Sequence, residues 1–233
     1  MAPPENKRRA TVFFIHGGGW NKGTPEFFKF IGNYFAQLGF RTIMPAYRLA
    51  PEFQFPSQEN DIFQACQQSQ EILTGEDSTA EEIIIAGQSA GAHLGSLLLL
   101  NQAKQEEYGI KSDLFSGFFS LSGPLDFSIR SEGKRAERIF FNFVPTKEKI
   151  RQANPVGYIE EEIGTDIFCL HGAKDPLVPQ EHSIKFTNKV KTIPQAEVRL
   201  EIKDNKYHSD LMNIFFKPEE DNELLEWLEK VDG

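Results

Sequence analysis

The residues best suited to covalent chemistry are Gly87-Gln88-Ser89-Ala90-Gly91, a serine between two glycines where an apolar, β-rich run meets a helical pattern. A serine hydroxyl is a weak nucleophile until a base takes its proton. A tight strand-to-helix turn made of small residues lets that oxygen project from the edge of a sheet, with the helix N-terminus pointing at developing negative charge. Between glycines alone a serine is only a turn. Here the flanking strand and helix supply the context the G-x-S-x-G pattern requires, so Ser89 is the predicted nucleophile.

A base and an acid must follow it in the chain. Of the five histidines, His208 lies in Lys206-Tyr207-His208-Ser209-Asp210, a loop between the last predicted strand and the final helix, and it is the predicted base. The others have structural explanations. His16 precedes a glycine loop, His93 sits one turn into the helix behind Ser89, His171 ends a core strand, and His182 falls on a surface-like helix. The segment His171-Gly172-Ala173-Lys174-Asp175 ends a strand in a polar turn, and the order Ser89, Asp175, His208 suits a carboxylate that holds the imidazole in one tautomer. Asp175 would otherwise serve only to cap the turn before Pro176. Asp210 is too near His208 in sequence to reach its far ring nitrogen, and is expected to serve the loop or helix start.

Negative charge on a reacting carbonyl needs donors. His16-Gly17-Gly18-Gly19 follows the first strand, and consecutive glycines aim main-chain N–H groups at one point with no side chain in the way; Ala90, after the nucleophile, offers another. Neither the Walker pattern nor G-x-G-x-x-G spacing is present, which argues against a phosphate loop. No cluster of histidines and carboxylates has metal-ligand spacing, and this chemistry calls for no cofactor.

The elements that must position these groups alternate. Strands are expected at residues 11–15, 41–47, 81–87, 115–121, 166–170 and 197–202, and helices at residues 27–38, 62–73, 89–100, 180–190 and toward the C-terminus around Leu224, Trp227, Leu228 and Val231. Such alternation predicts an α/β protein, a three-layer αβα sandwich on a mostly parallel sheet of about six strands, with its site at the carboxyl ends of the strands. Residues 124–165 break the pattern, too long for a loop, and read as a small cap insertion within one catalytic domain spanning residues 1–233. Their cluster Ile139, Phe140, Phe141, Phe143 and Val144 either lines a pocket or packs as core.

Together His16-Gly17-Gly18-Gly19-Trp20, Tyr47-Arg48-Leu49-Ala50-Pro51-Glu52, the serine elbow and the Asp175 turn resemble the hormone-sensitive-lipase-like carboxylesterases of the α/β-hydrolase fold, over nearly the whole chain. The resemblance implies an oxyanion hole of Gly18, Gly19 and Ala90, and a structural role for the Tyr47–Glu52 stretch. Kynurenine formamidases are similar in the same loop and elbow. The chain departs from the first family before His16, which is preceded by only fifteen residues. An open pocket and short acyl chains are therefore expected. The resemblance implies hydrolysis of a small carboxylic ester through an acyl-enzyme, with an arylformamide as the alternative substrate; a binding protein that merely retains the fold is disfavoured by the complete set of reactive residues.

Composition narrows the partners. Hydrophobic residues make up 39% of the 233, 21 of them Phe, and the net charge is −9. That field repels nucleic acid and anionic membranes, apart from the short basic cluster Lys7-Arg8-Arg9. Cys66 and Cys169 read as reduced core thiols. No apolar leader or membrane-length run is seen, so a cytoplasmic protein is expected.

Overall fold

The computed structural model describes residues 10–76, 82–130, 133–159, 163–194, 196–216 and 222–232; the Lys7-Arg8-Arg9 cluster and the expected first residue of the third strand, Glu81, lie outside them. In chain order the elements are β1 (Thr11–Ile15), α1 (Lys29–Gln37), β2 (Arg41–Ile43), α2 (Ser57–Glu76), β3 (Ile83–Gln88), α3 (Ala90–Leu100), α4 (Gln102–Tyr108), β4 (Phe115–Leu121), α5 (Lys134–Phe143), α6 (Lys147–Gln152), β5 (Asp166–Gly172), α7 (Glu181–Val190), β6 (Val198–Lys203) and α8 (Asn222–Val231).

The strands form one sheet in the order β2-β1-β3-β4-β5-β6, and every pairing is parallel. A parallel sheet is covered on both faces, and the strand residues show why. Phe13 and Ile15 of β1 enter one core with Ile62, Phe63 and Cys66 of α2 and Leu94 and Leu97 of α3. Val12 and Phe14 enter the other with Ile31 and Phe35 of α1 and Trp227 and Leu228 of α8. The two-residue period of a strand thus sorts a continuously apolar run into two packed layers. After β1 and β2 the chain returns to lay β3 on the other side of β1, so the loops after β1 and β3 diverge at a crevice above the sheet, where open α/β sheets bind ligands.

Two expectations need correction. The second strand stops at Ile43 rather than residue 47 because the chain leaves the ladder to pack Tyr47 on the His16 ring, with centroids 4.3 Å apart, and the Tyr47 hydroxyl donates to the His16 carbonyl at 3.0 Å. The helix expected from residue 89 starts at Ala90, since Ser89 itself is not helical.

Candidate active site

Ser89 stands between β3 and α3 with φ +53° and ψ −118°, a strained conformation for a residue with a side chain. Its neighbours explain what holds it there. A Cβ added to Gly91 would lie 1.9 Å from the Ile15 carbonyl oxygen, and one on Gly87 would lie 2.5 Å from the Ala92 nitrogen, so only glycines let α3 pass this close to β1 and to its own turn. The Ser89 N–H donates to the Leu121 carbonyl at 2.8 Å, tying the turn to β4.

His208 follows β6, and its Nδ1 lies 2.5 Å from Asp175 Oδ2 while its Nε2 lies 2.9 Å from Ser89 Oγ. Because a carboxylate only accepts, Nδ1 carries the proton and Nε2 is left to accept from the serine hydroxyl. Asp175 is itself fixed, for its Oδ1 accepts from the N–H groups of Leu177 and Val178 at 2.9 Å each. The turn-capping role and the contact to His208 thus belong to opposite oxygens of one carboxylate. Burial would raise this carboxyl, but hydrogen bonds from His171 and His208 and from the Val178 N–H outweigh it and hold the group well below the usual carboxylate range. Asp210 is turned elsewhere and accepts from the Tyr207 N–H at 2.8 Å.

Gly18 and Gly19, with φ of +123° and +62°, line the cavity above Ser89. A Cβ on Gly18 would lie 2.0 Å from the Lys22 carbonyl oxygen, so that glycine too is required by the fold of its loop. Ala90 occupies the first turn of α3, where N–H groups have no partner within the helix.

Three residues beside this group had no place in the site expected from the sequence. Gln88 places its Nε2 3.4 Å from His208 Nε2. His171 is fully buried; it accepts from Ser183 Oγ at Nδ1, 2.7 Å away, donates from Nε2 to the Val178 carbonyl at 2.8 Å, and brings Nε2 to 3.4 Å from Asp175 Oδ2. Its place four residues before Asp175 was the available signal. His182 was expected on a surface-like helix, but α7 turns it inward, where its Nδ1 accepts from the Asp126 N–H at 3.2 Å and burial lowers its pKa to about 4. The helix pattern around it is correct; the face it occupies depends on the chain between β4 and β5.

That chain, residues 122–165, divides the phenylalanine cluster between both of its expected roles. Ile139, Phe140 and Phe141 line a cavity of about 460 Å³ above Ser89, whereas Phe143 and Val144 are fully buried and Phe143 stacks on Trp20 with centroids 4.3 Å apart. A larger cavity of about 720 Å³, lined by Asp113, Asp166, Glu197 and Lys230, opens at the other ends of the strands, remote from Ser89. Cys66 and Cys169 are free, buried, and pushed up to about 12 by burial, which keeps them as inert thiols. Among the described residues no group of His, Cys, Asp and Glu has the arrangement of a metal site, and no helix is long and apolar enough to cross a membrane.

Comparison with known proteins places the chain in a family. The family described as BD-FAE matches residues 1–190. The chain belongs to the BD-FAE family. Among curated relatives of this member, the probable isoprenylcysteine alpha-carbonyl methylesterase ICMEL1 of Oryza sativa subsp. japonica is 24% identical over 87% of the chain and 51% of its own length. Arylacetamide deacetylase of Oryctolagus cuniculus is 26% identical over 80% of the chain and 47% of its own length. Esterase LipQ of Mycobacterium tuberculosis is 25% identical over 87% and 51%. The chain therefore spans about half the length of these relatives. Esterase B from Lactobacillus rhamnosis superposes with a TM-score of 0.79 at 18% identity, covering 97% of this chain and 77% of that one. The likeness establishes the α/β-hydrolase fold, and the relatives bear out the resemblance to hormone-sensitive-lipase-like carboxylesterases drawn from the motifs.

Proposed function

We propose that the protein is a serine hydrolase of small carboxylic esters, with Ser89 as nucleophile, His208 as general base and acid, and Asp175 as the group that orients and charges-balances the imidazole. The observation that carries this is the continuous hydrogen-bond chain from Asp175 Oδ2 through the His208 ring to Ser89 Oγ, at a strained turn under a cavity. In the first half-reaction Ser89 Oγ attacks the acyl carbonyl while His208 Nε2 takes its proton. The carbonyl oxygen becomes an oxyanion, for which the N–H groups of Gly18, Gly19 and Ala90 are the proposed donors. Collapse breaks the bond to the alcohol, which leaves with the proton from His208. Water then attacks the acyl-enzyme by the same route, giving the acid and restoring Ser89.

The names of the relatives, methylesterase, deacetylase and esterase, support ester cleavage as the reaction class. A cavity of about 460 Å³, walled by Ile139, Phe140 and Phe141, suits a small acyl or aryl group. Residues 124–165 act in this reading as the cap of a single catalytic domain. A fluorophosphonate probe tests the proposal directly. Labelling is expected at Ser89 and absent in Ser89→Ala, and a wild-type protein that stays unlabelled while hydrolysing neither p-nitrophenyl acetate nor butyrate would overturn it.

A further inference from the structure

The mouth of the cavity above Ser89 carries positive charge in a chain whose net charge is −9. Lys22, Arg130 and Arg135 line it, against the carboxylate of Glu137. Among the described residues none of these three cations is in an ion pair, whereas Arg48, Lys104, Lys203 and Lys230 elsewhere each hold a carboxylate. An exposed cation alone needs no explanation, since water solvates it. Arg130 differs because it is held in place: its guanidinium stands 4.3 Å from the Phe140 ring centroid and 5.8 Å from that of Phe141, the two rings that wall the cavity. Stacking occupies the face of a guanidinium and leaves its N–H edge to donate, a geometry that fits a carboxylate in two parallel hydrogen bonds. A side chain ordered in advance also loses less freedom on binding.

The net negative charge does not cancel this local field. Exposed charges beyond about 8–10 Å are largely screened at physiological salt, so the groups at the mouth dominate what an entering ligand meets. We propose that the site selects esters that themselves carry a carboxylate, held by Arg130 with Arg135 and Lys22 adding to the attraction. The inference rests on the ester hydrolysis proposed above. Water is consumed, the ester bond is cleaved at Ser89, and the distal carboxylate is unchanged.

Two matched pairs test it on the intact protein: p-nitrophenyl hydrogen glutarate against p-nitrophenyl valerate places the charge on the acyl side, and 4-acetoxybenzoate against phenyl acetate places it on the alcohol side. At low salt at least one anionic ester should exceed its neutral partner in kcat/KM by about tenfold, and the ratio should shrink as salt rises to about 0.5 M. Arg130→Gln should lower that ratio severalfold with an unaltered thermal midpoint, and Arg130→Lys should keep part of it, since charge survives but the fork does not. Hydrolysis of the neutral esters with no anionic preference, or a ratio unmoved by Arg130→Gln, overturns the selection and leaves ester hydrolysis standing. Hydrolysis of none of the four overturns both.

Discussion

The elbow around Ser89 and the wall formed by residues 122–165 face the same cavity but are built on opposite principles. The elbow is fixed by backbone. Gly87, Gly91 and Gly18 each sit where a Cβ would strike main-chain atoms, and Ser89 keeps a strained dihedral because β1, β3 and β4 enclose it. The wall is fixed by side chains. Phe140 is only partly buried and Phe141 is 46% exposed, and rings and a guanidinium rather than main chain meet the cavity there. Under the proposed function the difference separates two tasks: reacting groups must be held within a fraction of an ångström, while a surface that chooses among substrates tolerates adjustment.

The sharpest way to break this comparison is to alter the elbow group without changing its packing. Ser89→Ala and His208→Ala should each lower kcat by about 10⁴-fold or more, and the double variant should cost little beyond either single one because the two act as a unit. Near-normal turnover in either single variant, measured on p-nitrophenyl butyrate, would remove the elbow from the chemistry altogether.

Next in size is the choice between the two acids near His208. Asp175→Asn should preserve shape but favour the wrong imidazole tautomer, with a loss on the order of a thousandfold in kcat. Asp210→Asn, which alters a contact to the Tyr207 N–H, should stay within a few-fold of wild type. The reverse pattern would show that the acid has been misassigned.

A smaller effect concerns how the wall is fastened to the core, through two buried histidines. His93 accepts from Trp20 Nε1 at Nδ1 and donates from Nε2 to the Ala153 carbonyl, and His182 accepts from the Asp126 N–H. Both contacts need a neutral ring with a lone pair, and burial lowers the pKa values to about 3 and about 4. In the unfolded chain each titrates near 6.5, so their stabilising contribution is complete above that value. It is lost as the pH falls from about 6.5 toward about 4 for His182 and about 3 for His93, at up to about 1.4 kcal/mol per pH unit for each ring. Denaturant unfolding at pH 7 and pH 5 should show a loss of about 4 kcal/mol from the two rings together, and His182→Gln should make the dependence shallower. A pH-independent stability over that range would mean that the rings are not held neutral.

The buried apolar strand Thr11–Ile15, the elbow glycines and the order of Ser89, Asp175 and His208 were legible in the sequence, because each follows from local rules of composition, turn geometry and topology. The end of β2, the inward face of His182 and the division of the phenylalanine cluster were not. Tyr47 leaves the ladder to meet His16, His182 turns inward to meet Asp126, and Phe143 goes to Trp20 while Phe140 goes to the cavity; each depends on a partner far away in the chain.

By itself the sequence determined the serine turn and the strand and helix it joins, since a serine between obligatory glycines admits few backbone solutions. Tertiary structure alone decided that Ser89, Asp175 and His208 meet. His208 lies 119 residues from Ser89 and 33 from Asp175, yet one ring bridges both, and its tautomer is set by the carboxylate at Nδ1. Tertiary structure also decided what stands over the serine, because Arg130, Phe140 and Phe141 face the cavity only through the path of residues 122–165. The physical reason is one of range: sterics and hydrogen-bond periodicity act within a few residues, whereas the burial, stacking and charge that shape the mouth depend on contacts that exist only after the sheet has assembled.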